Sequence, residues 1–335
     1  MKKIARWMPV LVMLAVLIVA ALPAAAQDGA NPLCSGLSDE DCQLLVVAQT
    51  NAESITSFAS PEWSVSLQGQ TAEESISFDA KGSGEFSMAS ETDFVIHLVI
   101  DEATAVSSTG TETLSIEMIV TPAMVYVLYD GEWYADEMTA EDLESLGLGS
   151  LAGAGDMLGG AEGEGLPGVS DLTDMGIDLT GVVTTTRGAD VDGNAVFATN
   201  IDLTQLVVAL LSSPMIGEVL GMSMGGEGSE TPAMTPEDMQ MMAMFIQPMF
   251  AGTTIAVEEW VGLEDQMLHG LKADVLLNLD ASMLAPEIGK ITGEFHFLAG
   301  IENINEPVEV TLPETTKPLD ELEDPFQGIT EGLGM

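Results

Sequence analysis

Hydrophobic and polar positions alternate with a period of two along much of this chain, and the cleanest runs lie between Thr253 and Pro313. In LKADVLLNLD, the residues Leu271, Ala273, Val275, Leu277 and Leu279 fall on one side, and Lys272, Asp274, Asn278 and Asp280 on the other. Only Leu276 breaks the order, and the pattern is that of a half-buried strand. ITGEFHFLAG repeats it with Ile291, Gly293, Phe295 and Phe297, and PVEVTLP adds Val308, Val310 and Leu312 before Pro313 ends the ladder. The region reads as the closing half of a curved antiparallel sheet.

Strands also crowd the first half of the chain. Trp63, Val65 and Leu67 alternate with Ser64, Ser66 and Gln68, Ile76 and Phe78 continue the pattern, and Gly82-Ser83-Gly84 reads as a turn into Phe86 and Met88. FVIHLVID is apolar on both faces. Leu114, Ile116, Met118 and Val120 then lead through Thr121-Pro122 into MVYVLYDGEWYAD, where Asp130-Gly131 supplies the positive backbone angles of a tight hairpin. A second hairpin, VVTTTRGADVDGNAVFATNID, turns at Asp192-Gly193, so the whole is an antiparallel meander.

Helical patterns are confined to three places. Ser38, followed by Asp41, caps a helix through CQLLVVAQTNAESI. Asp202 caps an apolar helix through Leu203, Leu206, Val207, Leu210 and Leu211. Thr235-Pro236-Glu237-Asp238 opens a third, whose residues Met239 to Ile246 are apolar nearly all round and must be covered on most sides. Nine of the 21 methionines fall between Met215 and Met249. Methionine fills ordinary core gaps, and it also lines surfaces that adapt to ligands of variable shape. Between Ser145 and Gly168, nine glycines mixed with acids and scattered leucines form a segment that does not bury enough apolar surface to hold a fixed shape alone.

Composition changes this picture at three points. Lys2, Lys3 and Arg6, the apolar run from Val10 to Leu22, and Ala24-Ala25-Ala26 together read as a secretory signal peptide cleaved after Ala26, which predicts an exported protein in the periplasm, at the cell surface or in the medium. The mature chain keeps five basic residues against 54 acids, a formal charge of −49. A field of that sign repels phosphate backbones, which excludes nucleic acid as a partner. Cys34 and Cys42 are the only cysteines, and in an exported chain they predict a disulfide that pins the N-terminal loop to the first turn of the first helix. The chain then divides into a signal peptide over 1–26 and a disulfide loop and helix over 27–54. A single sheet-and-helix domain spans 55–313, with a glycine-rich insert at 145–170 and a methionine-rich helical segment at 202–250, and an acidic tail covers 314–335.

Reactive chemistry finds little support. Gly221-Met222-Ser223-Met224-Gly225 matches the letters of a serine nucleophile elbow, but Gly226 to Ser229 continue a linker where that motif requires a helix. His97, His269 and His296 each stand alone, without the spacing that zinc needs. Carboxylate pairs such as Glu73-Glu74, Glu258-Glu259 and Glu264-Asp265 are inevitable at this acid content, so none is singled out as a general acid and base. Asp190, Asp192 and Asn194 open like a calcium loop, yet the glycine is misplaced and no glutamate closes it. The expectation is a protein that is not an enzyme and carries no metal or cofactor.

One resemblance can be named. The strand ending in Asp130-Gly131-Glu132-Trp133, the strand VEEWVGLEDQ and the ending FHFLAGIENINEPVEVTLPE together resemble the lipoprotein-carrier fold of the LolA and LppX/LprG type, over roughly Ile55 to Glu314. The resemblance implies an α+β fold in which a curved, unclosed antiparallel sheet, a half-barrel, wraps a few helices and holds acyl chains between them. It places Leu206, Leu210, Met239, Met242, Ile246 and Phe250 as ligand-binding residues on the helical segments. The partners it implies are a lipid or other lipophilic molecule and a transient contact with a membrane surface. The alternative is a structural or interaction protein of the same fold whose core is closed and dry.

Overall fold

A computed structural model of the chain describes residues 31–52, 54–70, 75–90, 93–107, 110–138, 177, 179–212, 244, 247–280 and 289–322. The signal peptide, the glycine-rich insert, the Ser223 motif and the residues Met239, Met242 and Ile246 lie outside them. Twelve strands form one sheet: β1 Ser57–Gln70, β2 Ser75–Ser90, β3 Asp93–Ser107, β4 Gly110–Val120, β5 Met124–Tyr129, β6 Glu132–Glu137, β7 Val183–Arg187, β8 Asn194–Asp202, β9 Thr254–Gly262, β10 Leu268–Asp280, β11 Lys290–Gly300 and β12 Lys317–Pro318. The order is β12-β6-β5-β4-β3-β2-β1-β11-β10-β9-β8-β7, with β7 and β12 at the two ends of an unclosed sheet. Among the described strands only the short β12–β6 pairing is parallel. Beside the sheet stand the helices α1 (Asp39–Ala52) and α2 (Leu203–Ser212).

Local chemistry explains the predicted turns and caps. Asp130 and Gly131 take φ values of 51° and 77°, and Asp192 and Gly193 of 49° and 84°, the left-handed pair that a two-residue hairpin needs. The Asp41 amide donates to Ser38 Oγ at 3.2 Å, and Asp39, Glu40 and Asp41 place negative charge at the positive end of α1. The Gln205 amide donates to Asp202 Oδ1 at 3.0 Å and starts α2 directly from the end of β8.

Two expectations are corrected. Gly82-Ser83-Gly84 is not a turn; it lies inside β2, which runs unbroken from Ser75 to Ser90. The glycines there allow close packing, because a Cβ on Gly82 would lie 1.8 Å from the carbonyl oxygen of Val99 on β3. PVEVTLP is not a strand either. The β11 strand is already flanked by β1 and β10, so the chain that follows it has no free edge beside β11 to fold back on. It leaves the sheet through Asn303 and Asn305, both at positive φ, where the Asn305 amide donates to the Ser57 carbonyl at 2.8 Å. It rejoins only at β12, beside β6.

Unpaired edges invite association with other chains. Here β12 lies along β6, and on the other edge the Thr185 amide of β7 donates to the Ser35 carbonyl at 3.0 Å. The loop that supplies Ser35 is held by the predicted disulfide, Cys34 to Cys42, with a Cα–Cα distance of 5.1 Å. A disulfide fits a chain that folds outside a reducing compartment. Gly36 follows at φ 97°, and a Cβ there would sit 2.8 Å from the Thr185 carbonyl oxygen, so the loop reaches β7 only with glycine at this position. Replacing both cysteines by serine is expected to lower stability by about 2–3 kcal/mol, from the entropy of an open loop of this length, and to free the β7 edge. Urea unfolding followed by light scattering near the transition tests this. An unshifted midpoint with no added scattering would overturn it.

The strand register places the core on a single face. One row of directly opposed residues runs from Thr185 and Thr199 through Val257, Ala273, Phe297, Val65, Ala80 and Ala103 to Leu114. Thr185 and Thr199, fully buried, satisfy each other by a 3.0 Å hydroxyl contact. On the β7–β11 side, Leu45 and Ala48 of α1 and Leu203, Leu206, Ala209 and Leu210 of α2 pack with Ile255, Val257, Val261 and Ala273 of this face. On the β1–β5 side a second cluster gathers Ala80, Ala103, Leu114 and Ile116, and Leu319 and Leu322 from the C-terminal segment lie against it.

Candidate functional site

The apolar face is the part of the molecule on which a ligand reading rests. Leu206 and Leu210 are half-buried and packed against the cluster under the helices. Phe250 is half-buried in a short 3-10 turn, Gln247–Phe250, that sits against α2 and β10 and buries Met249. The structure thus brings Leu206 and Leu210 into one cluster and Phe250 next to their helix; the other three predicted contacts, Met239, Met242 and Ile246, fall outside the described residues.

Both sides of this face combine buried and half-buried side chains. Under α1, whose Leu45 is fully buried, Phe197, Val257 and Val261 are at most 2% exposed, and on β10 and β11 Leu271, Val275 and Phe297 are half-buried. Trp63, Val65, Phe78, Ile100, Met118 and Val125 belong to the same face on β1–β5 and remain half-buried among the described residues. A groove of about 710 Å³ lies at one end of β1, β2, β10 and β11. It is a different feature, since the row Leu276, Glu294, Gln68, Ser77 and Val106 along it belongs to the opposite face, and its lining is rich in amides and hydroxyls.

A second register row contains the one acid among the described residues that is buried in this face. It runs Arg187, Phe197, Glu259, Leu271, Ala299, Trp63, Gly82, Ile100, Ile116. Glu259 is 3% exposed, and burial pushes its carboxyl up to about 7, with the Gln49 amide of α1 pulling the other way. Gln49 is 4% exposed and lies beside Glu259 without closing a well-formed hydrogen bond through either of its side-chain polar atoms. At the end of the row, Arg187 stacks its guanidinium 5.3 Å from the Phe197 ring centre and pairs with Asp41 of α1 at 3.3 Å and with Asp190. The sequence carries a signal for Glu259: Ile255, Val257, Glu259 and Val261 share one face by alternation, so a glutamate stands in an apolar register. Glu258, its neighbour in sequence, points to the other face, so the two carboxylates are not a pair.

The opposite face carries the ion pairs, of which His97–Glu117 is half-buried and the others are more exposed. His97 lies 2.8 Å from Glu117, His269 2.8 Å from Asp265 and His296 2.7 Å from Asp274. Burial raises the Asp274 carboxyl, but Lys272 and His296 beside it outweigh that and hold it below the usual carboxylate range. Among the described residues no group of three or more His, Cys, Asp or Glu side chains is arranged to hold a metal ion.

Fold and site together define an α+β protein built on a large, unclosed, antiparallel-dominated sheet with one apolar face. No protein-family model matches the chain. No curated protein matches its sequence. Solved structures similar to it include a DUF1329 family protein from Desulfovibrio piger, with 8% identity, 81% of this chain and 94% of that chain covered, and a TM-score of 0.20. The outer membrane protein OprG from Pseudomonas aeruginosa matches with 7% identity, 74% of this chain and 94% of that chain covered, and a TM-score of 0.13. Likenesses at those TM-scores carry no argument about this chain.

Proposed function

We propose that this chain is an exported, non-enzymatic binding protein of the lipoprotein-carrier kind, holding a lipid or other lipophilic molecule between a curved sheet and its helices. The observation that supports the reading is an apolar face that continues past the two helices. On β1–β5, Ala80, Ala103 and Leu114 are buried while Trp63, Val65 and Phe78 are half-buried among the described residues. Covering a chain of a dozen methylenes there gives roughly 10 kcal/mol of gross transfer energy, before ordering and association costs. Micromolar affinity needs no ionic contact on those terms. With 54 acids in the chain, neutral or zwitterionic headgroups are favoured over acidic ones of equal chain length, and salt narrows the difference.

Titration of delipidated protein with a fluorescent fatty-acyl probe tests the reading. Phe78→Glu and Leu210→Glu are expected to weaken binding by tenfold or more, since a carboxylate in an apolar site loses its hydration without gaining a partner. Met242→Glu and Ile246→Glu test the sequence-based contacts in the same assay. Absence of saturable binding in the wild type, or unchanged affinity in all four variants, leaves the second reading, a structural or interaction protein with a dry core. That alternative is favoured by the near-complete burial of Leu45, Phe197, Val257 and Val261.

A further inference from the structure

We propose that Glu259 is a proton-controlled latch for α1: its carboxyl, buried under the helix in the apolar face of the sheet, holds the helix down when neutral and loosens it when ionised. The inference concerns the helix–sheet contact itself and does not depend on any ligand. Glu259 is 3% exposed between Phe197 of β8 and Leu271 of β10, and above it Gln49, 4% exposed, is flanked on α1 by Leu45 and Ala48 at 0% and 1%. A neutral carboxyl and an amide can donate and accept to one another in this setting. A carboxylate has only the Gln49 Nε2 to turn to, and the surrounding side chains offer no replacement for lost water.

Charged groups on the elements around Glu259 do not compensate it. The helix α1 carries Asp39, Glu40 and Asp41 in its first turn, of which Asp41 pairs with Arg187 of β7. Arg187 also binds Asp190. The only charged residue of β8 is Asp202, at its far end. Glu258 of β9 and Lys272 and Asp274 of β10 belong to the opposite face, where Lys272 pairs with Asp274 at 2.8 Å. At the hairpin joining β9 to β10, His269 pairs with Asp265. None of the ion pairs among the described residues includes Glu259. The helix also has tethers that would keep it attached while its middle lifts: the Cys34–Cys42 bridge and Arg187 at its start, and the Asn51 Nδ2 donating to the Gln266 carbonyl at 3.0 Å near its end.

The direction of the effect follows from the sign of the shift. Burial raises this carboxyl from 4.5 to about 7 when the helix is docked. Ionisation therefore favours the lifted state, the docking contribution is complete below about 4.5, and it declines as pH rises through about 7 before levelling off. Taking those two values for the lifted and docked helix, the opening equilibrium rises about 30-fold between pH 5.5 and pH 8.5.

Amide hydrogen exchange on the full mature chain with its disulfide intact, corrected for the intrinsic pH dependence of exchange, reads this directly. The peptide covering Leu45 to Ala52 is expected to lose protection by about 30-fold over that range, from a starting protection well below that of β10 and β11, whose amides exchange through global unfolding. Glu259→Gln should flatten the α1 response, and Glu259→Met serves the same purpose if the amide variant does not fold. Gln49→Leu, which leaves the acid in place and removes the group that lowers it, should move the midpoint of the response to higher pH. A wild-type helix whose protection does not change with pH overturns the proposal. So does a response that persists in the Glu259 variants, an α1 protection no lower than that of β10 and β11, or a midpoint that does not move in Gln49→Leu.

Discussion

Phe197→Ala is expected to destabilise the protein by about 3–5 kcal/mol, the range found when a fully buried aromatic side chain is removed from a packed core. The ring is 0% exposed on β8 and touches three kinds of neighbour at once. Its face carries the Arg187 guanidinium at 5.3 Å, its register partner on β9 is Glu259, and the cluster around it includes Leu45 of α1 and Val261 of β9. The loss is therefore more than transfer energy. The cavity would open beside a buried carboxyl, and water entering it would bring that carboxyl back toward its ordinary value. Urea unfolding gives the stability change from the midpoint at constant slope. Phe197→Leu should recover more than half of the loss, because it refills most of the volume. A Phe197→Ala variant within about 1 kcal/mol of wild type would mean that the helix-covered side is not a tightly packed core.

The parts of this fold that could be read from sequence are those fixed by chemistry within a few residues. Asp130-Gly131 and Asp192-Gly193 are legible because a two-residue hairpin needs two positive φ values, and Asp-Gly supplies them. Ser38 with Asp41, and Asp202 before Leu203, are legible because a helix start leaves amides that a nearby side-chain oxygen satisfies. The alternation of Leu271, Ala273 and Val275 identified the face that the helices cover. What was not legible depends on partners far apart in the chain. PVEVTLP alternates as well as any strand, and it stays out of the sheet because β1, from the other end of the chain, already occupies the free side of β11. No local pattern encodes that competition.

The candidate site divides in the same way. The helix beginning at Leu203 and its contacts through Leu206 and Leu210 follow from an apolar stripe after a cap. Glu259 is hard to single out because it stands next to Glu258 in a chain full of acids, and composition gives no reason to prefer one of them. Alternation would have separated the two, since one shares a face with Val257 and Val261 and the other does not. Its partner Gln49 could not have been found from sequence, because the docking angle of α1 on the sheet determines which of its polar residues is buried.

Gly82→Ala is expected to cost about 3 kcal/mol or more, although it adds a single methyl group to a residue in a strand. In a strand interior glycine is ordinarily a small liability, and alanine a slight improvement. Here the added Cβ would lie 1.8 Å from the Val99 carbonyl oxygen and 2.9 Å from Cζ2 of Trp63. The ring can shift, but the carbonyl is backbone of the adjacent strand, at the register shift between Lys81 and Gly82, so β2 and β3 must separate locally. Trp63 is the cross-strand partner of Gly82, and its Nε1 donates to the Ser83 carbonyl at 3.1 Å, so the disturbance spreads to the half-buried part of the apolar face. Gly131→Ala provides the control. Gly131 has φ 77° with nothing within 4 Å of a Cβ, so alanine there carries only the conformational strain of about 1 kcal/mol. Urea midpoints for the two variants separate clash from strain, and Trp63 fluorescence should shift in the first and not the second. A Gly82→Ala protein no less stable than Gly131→Ala would mean that Gly82 does not hold β2 against β3 in the way described.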